Sequence, residues 1–255
     1  MTSEKIKFYV SGDGKPFLLI HPLGLDHHIW DFCLEDFARN RSVFTYDLPG
    51  HGSTPVPNER YEISDLSDEL YDSLQAQGID KIDCLGLSIG GMILQDLASK
   101  HSELIDKLIL VDTTYKYSTD WQKNWAMRAN IARTEGLAGM LEQFLGAFFT
   151  ADYLANENET TQYCRDSLLN INTEGYAKAC EALSACNLEE QVHLIHAETL
   201  ILCGDQDNPL FIDAAKWLYA NISESNLEWL QGAQHLAPLE KKETFIRNVL
   251  DFLNS

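Results

Sequence analysis

The chain has 255 residues, 45% hydrophobic and 23% charged, which suffices for a sizeable core as one large domain or one domain with an insertion. Its formal charge of −20, from 19 Lys+Arg against 39 Asp+Glu, repels phosphate backbones and anionic membranes and argues against nucleic-acid binding. The same field obliges any anionic small substrate to find a local cation.

At the N-terminus, residues 1–7 contain no apolar stretch of signal-peptide length, and no run approaches a membrane span, so a soluble cytoplasmic protein is expected. Ile6-Lys7-Phe8-Tyr9-Val10 alternates. The turn-forming Ser11-Gly12-Asp13-Gly14-Lys15 then leads to Phe17-Leu18-Leu19-Ile20, and together they predict a hairpin. A helix over 29–39 precedes a strand over 42–46, which ends in the loop Asp47-Leu48-Pro49-Gly50-His51-Gly52-Ser53. A longer helix fits 63–77, with Ile63, Leu66, Leu70, Tyr71 and Leu74 on one face and Gly78 at its end.

The strand-like Lys81-Ile82-Asp83-Cys84-Leu85 runs into Gly86-Leu87-Ser88-Ile89-Gly90, and Met92, Ile93, Leu94, Leu97 and Ala98 follow at helical spacing. A strand that turns at once into a helix forces the middle serine into a strained conformation, and glycines two residues either side let the chains pass. Ser88 is therefore a candidate nucleophile. The first helical N–H groups, at Ile89 and Gly90, lack intrahelical partners and can hold an oxyanion.

Further strands are predicted over 107–112, 199–203 and 226–230, and a helix at the C-terminus. Strands alternating with helices imply a parallel sheet. Residues 113–197 show helical spacing and many aromatics, among them Trp121, Trp125, Phe144, Phe148, Phe149 and Tyr153, most of them expected to serve packing. They are read as a helical cap inserted into a core formed by 1–112 and 198–255. Within the cap, the polar stretch over 156–161 predicts a mobile loop. The six cysteines are far apart and include Cys84 and Cys203 in strand-like runs, so buried thiols are expected, with no disulfide framework, metal site or cofactor.

A serine hydroxyl needs a base, and the base needs an acid to fix its tautomer. His235 follows the strand over 226–230, and Asp207 follows the strand over 199–203, so both fall on loops at strand ends. His27 and His28 suit a loop or pocket rim, His51 a structural turn, and His101, His193 and His196 the surface.

With these motifs in hand, the chain resembles the α/β-hydrolase family over nearly its whole length. The likeness rests on His21-Pro22-Leu23-Gly24, the loop over 47–53, Gly86-Leu87-Ser88-Ile89-Gly90-Gly91, Gly204-Asp205-Gln206-Asp207, Gly232-Ala233-Gln234-His235, and the order Ser88, Asp207, His235. The resemblance implies an α/β fold: a mostly parallel sheet with helices on both faces and a helical cap insertion. It implies Ser88, Asp207 and His235 as nucleophile, acid and base, with the Gly-x-x-Asp spacing favouring Asp207 and a one-residue slip to Asp205 left open. It implies an oxyanion hole from the N–H groups of Leu23 and Ile89. The family often has glycine at position 22, but Pro22 leaves the Leu23 donor in place.

Within the family, the chain is most similar to 3-oxoadipate enol-lactonases, in Pro22-Leu23-Gly24-Leu25-Asp26, Ile29-Trp30-Asp31 and the cap stretches Trp125-Ala126-Met127-Arg128, 133–137 and 173–180. That likeness implies a small lactone as the molecule bound. Arg128, beside Trp125, is then the candidate cation for its carboxylate, against the alternative of an exposed arginine serving solubility. Competing readings are a general carboxylesterase or lactonase, a cofactor-free dioxygenase using a His–Asp dyad, and a small-molecule receptor. A haloalkane dehalogenase is disfavoured, because it needs a carboxylate at position 88. Self-association is left open.

Overall fold

In the computed structural model, which describes residues 6–156 and 158–255, the apolar runs become seven strands. They are β1 Tyr9–Ser11, β2 Lys15–Ile20, β3 Arg41–Tyr46, β4 Ile82–Leu87, β5 Ile105–Val111, β6 Glu198–Gly204 and β7 Ser225–Leu230. Their order in one sheet is β1-β3-β2-β4-β5-β6-β7, and every pairing except that of β1 is parallel. Residues in register across the middle, Leu19, Leu85, Ile109 and Leu200, are all buried, as a parallel sheet covered on both faces requires.

The expected hairpin does not form. β1 pairs antiparallel with β3, Tyr9 opposite Thr45, while β2 lies between β3 and β4. Phe17, Leu18, Leu19 and Ile20 are fully buried, and parallel neighbours on both sides take up the strand's backbone groups. Gly12 and Gly14, at φ 79° and 128°, carry the chain over the start of β3, where a Cβ on either would strike the backbone of Ala38 or Asn40.

The helices of the core are α1 Asp31–Ala38, α2 Ile63–Ala76, α3 Ile89–Lys100, α9 Pro209–Asn221, α10 Ala237–Glu240 and α11 Lys242–Leu253. α2 starts with a reciprocal cap, the Asp65 carboxylate accepting from Glu62 N at 2.8 Å, and it buries Ile63, Leu66, Leu70 and Leu74 on one face. The last turn of α11 is gripped from two strands: Arg41 Nη2 donates to Leu253 O at 3.0 Å and Lys107 Nζ to Phe252 O at 2.6 Å. The single C-terminal helix expected from sequence is two, parted at Lys241, and α9 is an addition to the predicted elements.

Between β5 and β6 lie α4 Thr119–Glu135, α5 Leu141–Phe148, α6 Ala151–Leu154, α7 Glu159–Asn170 and α8 Thr173–Ala185, with one isolated bridge, Lys116 to Asn187. α8 is set tightly on the core: Gly175 and Gly50 approach so closely that a Cβ on either would meet the other's backbone. Lys178 Nζ donates to Asn58 O at 2.9 Å and also to Pro57 O. The loop expected over 156–161 is instead mostly a helix start. Asn158 caps α7 by accepting from Thr161 N at 2.9 Å, while Thr161 is buried; Glu157 lies outside the described residues. The expectation of no leader at the N-terminus rests largely on residues 1–5, also outside them. All six cysteines are buried and free, and no helix among the described residues is long and apolar enough to cross a membrane.

Candidate active site

The parallel sheet brings the C-terminal ends of β4, β5 and β6 side by side, and Ser88 stands on the first of them. Its backbone is left-handed, φ 55° and ψ −115°, which costs a non-glycine residue about 1–3 kcal/mol. The neighbours hold it there: Ser88 N donates to Val111 O at 2.9 Å, and Thr113 Oγ1 donates to Ser88 O at 2.7 Å. The flanking glycines are required by contact. A Cβ on Gly86 would strike the Gly90 carbonyl, and one on Gly90 would lie 2.5 Å from Ile20 O.

His235 reaches this serine from the loop after β7. Its Nε2 lies 3.1 Å from Ser88 Oγ, and its Nδ1 lies 2.9 Å from Asp207 Oδ2. Asp207, on the loop between β6 and α9, is buried, and its other oxygen accepts from Asn208 N at 2.6 Å. Asp205 is elsewhere engaged: its Oδ1 accepts from Gly232 N at 2.6 Å and so ties down the start of the His235 loop. With the acid on Nδ1, the imidazole presents Nε2 to the hydroxyl, the arrangement that lets it accept the serine proton.

Ile89 opens α3, so its N–H has no acceptor within the helix, and Leu23 lies in the pocket wall on the loop after β2. The orientation of the Leu23 N–H traces to His21, to which the sequence reading gave no role. Leu48 N donates to His21 Nε2 at 2.9 Å, so the ring proton sits on Nδ1 and is donated to Pro22 O at 2.8 Å. A trans peptide points its N–H opposite its carbonyl, so anchoring Pro22 O turns the Leu23 N–H away from His21. Complete burial lowers the His21 pKa and keeps the ring neutral.

Behind Asp207, Asp112 follows directly on β5 with φ 42°. Its Oδ1 accepts from Gly204 N at 2.8 Å, its Oδ2 is buried without a partner, and burial followed by the charge of Asp207 raises its pKa well above the usual range. The ligand atoms of Asp112, Cys203 and Asp207 lie within 4.8 Å of one another. They make a poor cation site, since Asp207 is committed to His235 and burial pushes up both the Cys203 thiol and the Asp112 carboxyl.

Above the serine is a cleft of about 670 Å³ whose wall includes Leu23, Trp125, Phe144, Phe148, Tyr176 and Phe211. One cation enters it. Arg128 lies 4.6 Å over the Trp125 ring and 4.7 Å over that of Phe144, and among the described residues it forms no ion pair. Its Nε, the indole N–H of Trp125 and the Tyr176 hydroxyl are all buried without hydrogen-bond partners. Burial raises the Tyr176 pKa, and the Arg128 charge opposes that rise. The remaining histidines stay out of the cleft. His27 Nδ1 pairs with Asp47 at 2.7 Å, His51 is buried against Pro49 O, and His101 stacks on Tyr71. Phe144 and Phe148 stand in the sequence only as aromatics, the same residue type that packs a core, and Tyr176 only within the stretch 173–180.

Comparisons with known proteins identify the fold. The pattern of the α/β-hydrolase fold matches residues 15–242. The chain is 27% identical over 233 residues to the 3-oxoadipate enol-lactonase 2 of Acinetobacter baylyi, covering 91% of this chain and 86% of the relative. It is 25% identical over 249 residues to a pimeloyl-[acyl-carrier protein] methyl ester esterase of Chromobacterium violaceum, covering 96% of each. The crystal structure of the enol-lactonase from Burkholderia xenovorans superposes with a TM-score of 0.92 at 27% identity, over 98% of this chain and 96% of that one.

Proposed function

Because the chain belongs to the α/β-hydrolase family, we propose that it is a serine hydrolase opening a small carboxylate-bearing lactone, an enol-lactone of the 3-oxoadipate type. Ser88 Oγ attacks the lactone carbonyl as His235 Nε2 takes its proton, and Asp207 stabilises the imidazolium. The tetrahedral oxyanion is held by the Leu23 and Ile89 N–H groups. Collapse opens the ring and leaves the acyl group on Ser88. The expelled enolate is a good leaving group, because the proton on His235 passes to it, converting it to the ketone and restoring the neutral imidazole. Water deprotonated by His235 then attacks the acyl-enzyme and releases the diacid.

Arg128 carries the substrate assignment. A guanidinium without a carboxylate partner, beside two unpartnered donors in a mostly apolar cleft, is a site for an anion. In a chain of charge −20, a carboxylate-bearing substrate requires such a cation. A general carboxylesterase is the second reading, favoured by the likeness to the methyl ester esterase over 96% of both chains. The test follows the loss of enol-lactone absorbance with purified protein beside a panel of aryl esters and simple lactones. Preference for the enol-lactone supports the first reading, and preference for neutral esters replaces it with the second. Stabilisation by these ligands without turnover would point to a receptor.

A further inference from the structure

The loop that carries His235 is fastened to one segment of the inserted helices on both sides of the histidine. With its side-chain amide turned so that the nitrogen faces two carbonyls, Gln234 donates to Gly146 O and Phe149 O at 2.9 Å each. On the other side, Leu236 N donates to Phe148 O at 2.9 Å. Glu240, the last residue of α10, closes the connection with its two oxygens. Oε1 accepts from Thr150 N at 3.0 Å and Thr150 Oγ1 at 2.6 Å, while Oε2 accepts from Gln234 N at 2.6 Å.

A carboxylate accepts at both oxygens and its hydrogen bonds are charge-assisted, so Glu240 joins the two backbones more firmly than a neutral group could. The segment it holds, 146–150, also supplies Ala147 and Phe148 to the wall of the cleft. Other links between insertion and core do not touch His235: Gly175 packs on Gly50, Lys178 binds Asn58 O, Tyr163 OH donates to Asp26 Oδ1 at 2.7 Å, and Thr113 Oγ1 holds Ser88 O.

We infer that Glu240 is a positioning residue through which the cleft wall at Ala147 and Phe148 sets the placement of His235, so that pocket shape and base alignment are coupled. The inference rests on the serine-hydrolase reading. Proton transfer from Ser88 tolerates little displacement, and a misplacement of about 1 Å costs about 10²-fold in rate.

The experiment measures the rate at which a fluorophosphonate labels Ser88, read by mass spectrometry, in wild type, Glu240→Ala, Glu240→Gln and Thr150→Val. Hydrolysis kinetics and the low-field proton resonance of the His235–Asp207 bond accompany it. Labelling and kcat should fall about 10- to 100-fold in Glu240→Ala with KM little changed, and the low-field resonance should weaken. Glu240→Gln, which keeps one acceptor oxygen, should fall between Glu240→Ala and wild type. A brace that serves stability alone would lower Tm and leave labelling below Tm at the wild-type rate, and that result overturns the inference. Should Glu240→Ala fail to fold, wild-type labelling in both Glu240→Gln and Thr150→Val overturns it equally. If wild type itself neither labels nor turns over any ester or lactone, the hydrolase reading fails and this inference falls with it. Brisk wild-type labelling with unaffected variants removes the coupling alone.

Discussion

Replacing Arg128 by Met keeps a long unbranched stem against Trp125 and Phe144 and removes the only part of the side chain that can bind an anion. A hydrogen bond to a charged group is worth about 1.5–3 kcal/mol, which corresponds to a loss of about 10- to 150-fold in kcat/KM for a carboxylate-bearing lactone. A neutral aryl ester makes no such contact and should change by less than about twofold. Two stacking contacts at about 0.5–1 kcal/mol each are lost, and the desolvation of an unpaired guanidinium is relieved, so the two effects nearly cancel. Stability should stay within about 1 kcal/mol, or about 2–4 °C in Tm for a chain of this size. The assay compares kcat/KM for the enol-lactone and for phenyl acetate in wild type, Arg128→Met and Arg128→Lys, with Tm alongside. Equal losses on both substrates, or full activity of Arg128→Met on the lactone, would refute the carboxylate assignment.

Three other outcomes are expected. Ser88→Ala and His235→Ala should each lower kcat by on the order of 10⁶-fold with Tm preserved, and Asp207→Asn by about 10⁴-fold. A greater loss in Asp205→Asn than in Asp207→Asn would move the acid to position 205. Gly90→Ala must push a Cβ into Ile20 O, displacing the start of α3 and the Ile89 N–H. It should cost about 1–3 kcal/mol in urea denaturation and about 10²–10³-fold in turnover, and wild-type turnover would disprove the elbow contact. His51 is buried, and desolvation lowers its pKa from 6.5 to about 3. Its unfolded form therefore binds a proton that the folded form refuses, and stability falls as pH drops from about 6.5 towards 3. At pH 4.5 this single group should account for about 2–3 kcal/mol, which His51→Gln should abolish; identical urea midpoints against pH in both proteins would contradict it.

Much of the fold was legible because apolar runs bounded by turn formers can be read locally. β3, β5, β6 and α2 fall within two residues of their expected bounds. Pairing was less legible: alternation over 6–10 announces a strand but not its partner, and the partner of β1 lies more than thirty residues on, at Val43, Phe44 and Thr45. The start of α7 was read as a loop because Asn158 and Thr161 are polar, although that polarity is what caps the helix. Ser88, Asp207 and His235 could be grouped as candidates because each follows a strand end, where side chains converge above a parallel sheet. His21 and Glu240 could not, since each acts through a hydrogen bond to backbone groups brought near only by folding. The cleft wall was hidden for another reason: Phe148 and Tyr176 differ from core aromatics in location and not in kind.

The inserted helices are pinned at 146–150 to the His235 loop, at Tyr163 to Asp26, and at Gly175 and Lys178 to the loop after β3. Between the last two of these pins, residues 164–170 can be treated as a cassette held at both ends. Leu168 lies in that stretch and faces the cleft, close enough to Gly24 that a Cβ there would sit 3.0 Å from its Cδ2. A library built on Leu168 and its helical neighbours would redraw what the cleft admits while the contacts of Gln234 and Glu240 with 146–150 stay in place, and the choice of bound molecule is where this scaffold is most open to change.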